Sequence, residues 1–412
     1  EWVDRAASKT HPLALRARLS VHEQSEISMP KTWTVGVVGS TGKGNYGHGL
    51  DTAWNAVEST QIVAVADDDD TIDADLRRLN RVWAQQLGVP YVTSVDAALR
   101  REDVSIVSIG HDIERRSELA QAAAAAGKHL WIDKFLGATL GECDLVVDAV
   151  AAAGITAIVP SYGYGTLLRQ ARPILASGRL GQLLGCHVDL HFAKGLPRPI
   201  HDHSIPFLGA DTGEWKYPEL KRELLTTGSY SVGLLQTCLG RTARIHGTGG
   251  AFFFPEHAQH GADDFACLTL VDEDGHLGTL SAGRVGLGSH PAGGPCRAWL
   301  VGSDATAIID AKRPATQAYL RSDLLDLTRP PAANDPMGWA TGPPALHPPA
   351  EDDSAGLSTA LGEFVTALDG GPALQYTVSH ARDNMEILLA GYRAMATEQE
   401  LHLPLSRQAS GS

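Results

Sequence analysis

From Thr32 to about Val159, short β-branched apolar runs alternate with longer, Ala-rich amphipathic stretches. The runs WTVGVVG, QIVAVAD, YVTSV, VSIVSIG and HLWID read as strands. Between them the spacing predicts helices ending at Glu58, over 73–87, up to Arg101, over 114–126 and over 141–153. Strands and helices taking turns at this interval are βαβ units, in which a parallel sheet is covered on both faces. The expected fold class is α/β, a doubly wound parallel sheet over 29–160.

After a predicted helix near 166–177 the period changes to two. GQLLGCHVDLHFA, ARIHGTGGAFFF, FACLTLVDEDGHLGTLSAGRVG with a hairpin turn at Asp274-Gly275, and RAWLVGSDATAIID predict an antiparallel sheet in a second, α+β domain over 161–355. Inside it, seven prolines between Pro330 and Pro349 predict a Pro-rich surface loop over 328–350. Helical periodicity returns over Leu357–Leu368 and Val378–Glu398, so 356–405 is expected to bring C-terminal helices back to the domain junction. The first 28 residues carry both signs of charge and no apolar secretion-signal core, and are expected to be a disordered extension of a fold that starts near Met29.

Composition narrows the partners. With 43% hydrophobic and 20% charged residues in 412, two packed domains are within reach, and a net charge of −14 repels phosphate backbones and anionic lipid surfaces. Neither nucleic acid nor a membrane is an expected partner. The longest apolar stretch, Leu145 to Val159, contains Asp148 and Gly154 and falls short of the roughly 20 residues a bilayer span requires. Five cysteines without CxxC or CxxH spacing fit a reducing, cytoplasmic setting without disulfides or a zinc site.

VGVVGSTGKGNYGHG puts a glycine cluster between the first strand and a helix, where backbone N–H groups and a helix N-terminus receive a pyrophosphate. Gly39, Ser40, Thr41, Gly42 and Gly44 form this turn, with Thr41 in place of the middle glycine of the strict fingerprint. The second strand ends in Asp67, placed to hydrogen-bond a ribose diol. Asp68, Asp69 and Asp70 follow with no nearby arginine for a 2′-phosphate, which favours NAD over NADP. Lys43 lacks the following Ser or Thr of an ATP-binding loop.

HLWIDKF places Asp133 and Lys134 at the carboxyl end of the fifth strand, where ligands of open α/β sheets bind. A lysine held there by a carboxylate can orient a substrate hydroxyl and move its proton; elsewhere such a pair is a surface ion pair. The segment PRPIHDHSIPFLGADTGEWKYPELK offers His201, His203, Trp215 and acids suited to a sugar's hydroxyls and its C–H face. A metal site in which His191 joins His201 and His203, and an exposed loop that mediates subunit contact, are the other readings of this segment. No metal is expected.

The glycine turn with Asp67, Gly127-Lys128-His129 leading to Asp133-Lys134-Phe135, Ser177-Gly178-Arg179-Leu180-Gly181 and the final LHLPL together resemble the Gfo/Idh/MocA family of oxidoreductases over about 32–405. The resemblance implies a Rossmann domain followed by an open-faced antiparallel sheet that serves substrate binding and oligomerisation. It implies hydride transfer between NAD(P) and a hydroxyl carbon of a sugar, sugar derivative or cyclitol, and a homodimer or homotetramer. Asp133-Lys134-Phe135 stands where the family usually has Glu-Lys-Pro. The family's Asp and, four residues on, His fall on Thr226 and Tyr230, so Tyr230 becomes the proton-transfer candidate if the Lys134 ammonium lowers its pKa. Gly110 and His111 fall near the nicotinamide ribose, and Tyr162, Tyr164 and Thr226 near the substrate. Two alternatives stand: a family member that cleaves glycosides while recycling its NAD, and a dinucleotide-binding protein without catalysis.

Overall fold

The computed structural model describes residues 32–39, 53–68, 70, 72, 74–160, 165–192, 198, 200, 207–208, 216–217, 220–284, 296–310, 315–320, 345–347 and 357–405. The predicted N-terminal extension and most of the Pro-rich loop lie outside them, as do Ser40, Thr41, Gly42, Gly44, Tyr162, Tyr164, His201 and His203.

The first sheet contains β1 (Trp33–Val38), β2 (Thr60–Ala66), β3 (Tyr91–Val92), β4 (Ile106–Ile109), β5 (His129–Ile132) and β6 (Ala157–Ile158). All its pairings are parallel, in the order β3-β2-β1-β4-β5-β6. Val35, Val65, Ile106, Ile109, Leu130 and Trp131 are wholly buried in these strands, the near-continuous burial that helices on both faces produce. The helices are α1 (Ala74–Leu87), α2 (Val95–Leu99), α3 (Ile113–Ala125) and α4 (Leu140–Ala153). Helix α4 starts at a capping box between Thr139 and Glu142 and stops at Gly154 in the left-handed region. Two expectations change here. The strand predicted over YVTSV is cut to two residues because Ser94 caps α2, accepting the Ala97 N–H at 3.4 Å. Of the helix predicted up to Glu58, the described part is a 3-10 turn, Ala53–Ala56.

Helix α5 (Thr166–Ala176) leads to the second sheet, built of β7 (Leu183–Phe192), β8 (Thr242–Gly250), β9 (Phe265–Asp272), β10 (Leu277–Arg284), β11 (Cys296–Gly302), β12 (Ala305–Asp310), β13 (Ala315–Leu320), β14 (Ala345–His347) and β15 (Leu401–His402). The order is β14-β13-β12-β11-β7-β10-β9-β8-β15. Its pairings are antiparallel, except that β7 and β10 run parallel at the centre, so the sheet is mixed. Burial alternates along β9 and β11. One face is solvent-accessible, with Trp299 half exposed beside His187 and with Asp189 paired to Arg297. Strand β14 lies within the predicted Pro-rich loop: three proline-free residues keep their N–H groups and pair with β13. The predicted hairpin turn at Asp274-Gly275 forms, held by Asp272 accepting the Asp274 and His276 N–H groups. The run ARIHGTGGAFFF stops being a strand at Gly250, because the buried Asp264 carboxylate accepts the N–H groups of Phe252, Phe253 and Phe254 and turns the chain.

The covered face of this sheet packs on a π-helical turn (Leu224–Gly228), α6 (Val232–Leu239) and α9 (Val378–Thr397). Helix α8 (Leu357–Leu368) reaches back to the first sheet, where Phe364 meets Trp54 and Trp131 edge-on at 6.3 and 5.5 Å. Helix α9 joins α4 through Arg382 and Asp144 at 2.8 Å. All five cysteines are free thiols, and among the described residues no helix is long and apolar enough to cross a membrane.

Phe364 has no exposed surface, so Phe364→Ala removes an aromatic clasp between the C-terminal helices and the first sheet. The expected cost is about 3–5 kcal/mol, read as a lower urea midpoint of the cooperative transition.

Candidate active site

Strand β1 ends at Val38, and the chain turns at Gly39, whose φ of +106° suits glycine alone. A Cβ there would stand 2.3 Å from the His111 amide nitrogen and 2.8 Å from the Gly110 carbonyl carbon. The loops after β1 and β4 therefore meet where the strand order reverses, the crevice in which open α/β sheets bind ligands. In it His111 keeps Nδ1 buried and without a hydrogen bond. A glycine-only approach beside an orphaned polar atom at the switch point fits a dinucleotide.

Asp67 follows β2 but does not face the crevice with a free carboxylate. It is fully buried: one oxygen accepts the Asp68 N–H at 2.9 Å and the other the Asn80 Nδ2 at 3.0 Å, and burial raises its pKa. The acid at the rim is Asp68, which accepts the Val95 N–H at 2.8 Å and is ion-paired with Arg115. The expectation that no arginine is near holds along the chain and fails in space, because α3 brings Arg115 back to the end of β2.

Asp133 and Lys134 extend β5. The Asp133 carboxylate is buried; Oδ1 accepts the Lys134 N–H at 2.8 Å, and Oδ2 lies 3.8 Å from Arg116. Arg116, 2% exposed, donates to the His111 carbonyl at 2.7 Å and the Phe135 carbonyl at 2.6 Å, fastening the loops after β4 and β5 together. Lys134 is 8% exposed, and the peptide that follows it is cis. Its Nζ crosses to the second sheet's turn, donating to the Thr226 carbonyl at 2.8 Å and to Ser229 Oγ at 3.2 Å. Burial pulls Lys134 down to about 7 against the opposing charge of Asp133. An amine so placed is half neutral at neutral pH and can take up or release a proton.

Thr226 and Tyr230 are not on one regular α-helix. They belong to the π-helical turn and its exit, a device frequent at functional sites. The turn is pinned by buried partners: the Leu224 N–H donates to Asp263 Oδ2 at 2.6 Å, and the Leu225 N–H to the Tyr392 hydroxyl at 3.1 Å. Thr226 Oγ1 donates back to the Arg222 carbonyl at 2.8 Å, so what it offers Lys134 is its backbone oxygen. Tyr230 does meet Lys134, but through its ring face, 4.2 Å from Nζ to the centroid. Its pKa is raised, by burial first and then by Asp133, which corrects the expectation of an ammonium-lowered phenol. Tyr230 therefore keeps its proton, and its hydroxyl is suited to donating rather than to acting as a base.

Arg116 and Ser229, which touch this site, escaped the sequence reading, as did Glu223, buried beside the turn. Glu223 stands one residue before the π-helical turn, 1% exposed, with Oε1 2.8 Å from Arg284 and 3.9 Å from His257. His191, considered as a metal ligand, spends Nε2 on Ser281 Oγ at 2.6 Å. Lys216 reaches from the second domain to Asp112, just after His111, at 3.2 Å.

The architecture is that of dinucleotide-binding α/β proteins. Residues 33–161 match the profile of the oxidoreductase family with an NAD-binding Rossmann fold, and 168–308 that of the Gfo/Idh/MocA C-terminal domain. The chain belongs to the Gfo/Idh/MocA oxidoreductase family. A glycosyl hydrolase family 109 protein of Shewanella amazonensis is 26% identical over 216 residues, 52% of this chain and 43% of that relative, so the match spans less than half of the relative's length. Levoglucosan dehydrogenase, solved with NADH and levoglucosan, superposes with a TM-score of 0.70 at 16% identity, covering 91% of this chain and 100% of that one. UDP-N-acetylglucosamine 3-dehydrogenase of Acidithiobacillus ferrooxidans superposes at 0.65 and 16% identity, covering 88% and 98%. Both likenesses are of fold.

A lysine at about 7 in the folded chain, against 10.5 when free, binds its proton more weakly than in the unfolded chain. Its burial therefore costs stability progressively as pH falls from 10.5 to 7. Lys134→Met is expected to raise the thermal midpoint at pH 7 and to lose that gain as the pH approaches 10, in paired melting curves.

Proposed function

We propose that this chain is an NAD-dependent dehydrogenase that moves a hydride between nicotinamide and a hydroxyl-bearing carbon of a sugar, sugar derivative or cyclitol. The observation that carries this reading is the buried Lys134, held at about 7 by its surroundings beside the dinucleotide crevice. The residues that would hold the cofactor are Gly39 with its turn (Ser40, Thr41, Gly42, Gly44), Gly110 and His111, with Asp68 at the ribose end and Asp67, turned inward to Asn80, supporting the Asp68 backbone from behind. NAD, when bound, supplies the hydride acceptor. Lys134, as the neutral amine, takes the proton of the substrate hydroxyl, Asp133 orients the lysine, and Tyr230 donates a hydrogen bond to the same oxygen. Tyr162, Tyr164, His201, His203 and Thr226 are the remaining substrate-side candidates. The dehydrogenases of similar fold are named for sugar substrates, which supports the substrate class.

NAD is favoured over NADP because Asp68 already neutralises Arg115, so that guanidinium is not left to receive a 2′-phosphate. The open face of the second sheet, with Trp299 half exposed, suits pairing with a second copy. A second reading, glycoside cleavage with internally recycled NAD, is favoured by the glycosyl hydrolase family 109 relative.

The test is absorbance at 340 nm on adding NAD with sugars, cyclitols and glycosides. Continuing rise with one substrate supports the dehydrogenase; aglycone release without net NADH supports the second reading; bound NAD with neither result overturns both. Lys134→Met is expected to lower turnover by about 10²–10⁴-fold with NAD affinity by calorimetry unchanged, and unchanged turnover removes the lysine from the mechanism. Asp68→Ala, by releasing Arg115, is expected to shift the affinity ratio towards NADP.

A further inference from the structure

Two oxygens and two aromatic rings meet the Lys134 amine. The Thr226 carbonyl and Ser229 Oγ accept hydrogen bonds from Nζ at 2.8 and 3.2 Å. The rings present their faces: Nζ lies 4.2 Å from the centroid of Tyr230 and 4.8 Å from that of Phe135. One ring comes from each domain. Phe135 follows Lys134 in the chain, 1% exposed, with its carbonyl held by Arg116 at 2.6 Å. Tyr230 leaves the π-helical turn, and its backbone N–H donates to the Thr227 carbonyl at 3.2 Å.

We propose that Phe135 and Tyr230 form an aromatic cage for Lys134, in which the two ring faces stabilise the positive charge that the amine acquires on accepting the substrate's proton. Both are positioning residues in this role, acting through Lys134. The proposal rests on the dehydrogenase reading for its purpose but not for its test.

The face of an aromatic ring carries the negative end of its quadrupole, so it attracts an ammonium within about 6 Å, and more strongly where water is excluded. It offers a neutral amine much less. Two such faces favour one protonation state over the other, whereas an aliphatic side chain in the same place would only cover the lysine stem. Lys134 is 8% exposed, and burial pulls it down to about 7 with Asp133 as the opposing charge. The rings act on the same side as Asp133. The other charges acting on Lys134 are Arg116 on α3, and Lys221 and Glu223 ahead of the turn. Lys221 is anchored through its carbonyl, which accepts from His257 Nε2 on α7 (Pro255–Gln259) at 3.2 Å. In the oxidative direction the substrate hydroxyl proton goes to the Lys134 amine and the hydride to NAD, and the ammonium forms against rings and oxygens already in place.

The experiment measures the pH midpoint of Lys134 acylation by acetic anhydride, quantified on the Lys134 peptide by mass spectrometry, in the full-length protein. Phe135→Leu and Tyr230→Leu each keep an apolar cover and remove one ring face, and each is expected to lower the midpoint by about 0.5–1 unit. At about pH 5 that reads as a roughly three- to ninefold faster reaction. Tyr230→Phe, which keeps the ring and loses the hydroxyl, retains the wild-type midpoint. Asp133→Asn, which removes an opposing charge, lowers the midpoint and calibrates the shift the method reads. Rings that only fill space predict the other sign, because a smaller side chain admits water and relieves the desolvation of the ammonium. A midpoint that stays or rises in Phe135→Leu while Asp133→Asn lowers it overturns the proposal, and so does a Tyr230→Phe midpoint as low as that of Tyr230→Leu. If Phe135→Leu does not fold, the two Tyr230 variants decide alone, equal midpoints overturning it. No sugar or cofactor enters the measurement, so a failed search for a substrate leaves its outcome readable.

Discussion

Everything at this site depends on the burial of one amine. Lys134 projects from the end of the parallel sheet and loses most of its water, and among the described residues its hydrogen-bond partners are a carbonyl and a hydroxyl from the other sheet's turn. That requirement forces both sides to be rigid. On one side Arg116 and Asp133 fasten the loops after β4 and β5 to each other. On the other, Asp263 and Tyr392 hold the N–H groups of the π-helical turn. The lysine's depressed pKa follows from this construction, since the oxygens it meets are neutral and the desolvation is severe.

Much of the frame was legible because period reports burial. The parallel strands read as continuous apolar runs, the second sheet's strands as alternation, and α1, α3, α4, α8 and α9 fall within a residue or two of their predicted bounds. Lys134 was legible for a different reason, as a charge at the carboxyl end of a buried strand. What escaped has no periodic signature. The parallel pairing of β7 with β10 is a topological choice made between strands whose paired residues lie 92 apart, and a π-helical turn differs from an α-helix by a single residue per turn.

Buried charges were the hardest to read. Arg116 looks like the polar face of α3 and is instead 2% exposed, tying loops together. Asp67 occupies the expected place but turns inward to Asn80, which shifts the rim's charge to Asp68. Glu223 is invisible in a run of ordinary residues, because what gives it meaning is Arg284 on another strand. In each case the partner comes from a distant segment, so neither spacing nor composition reveals it.

The hydroxyl that receives the Leu225 N–H belongs to Tyr392, 167 residues further along, and the aromatic clasp on the first sheet is closed by Phe364. During synthesis, therefore, the parallel sheet can fold as soon as its last strand emerges, while the site stays open until α9 has left the ribosome. For that interval the nascent chain carries the end of the parallel sheet without the pinned turn that receives Lys134. The lysine is thus made long before the helix that completes its surroundings.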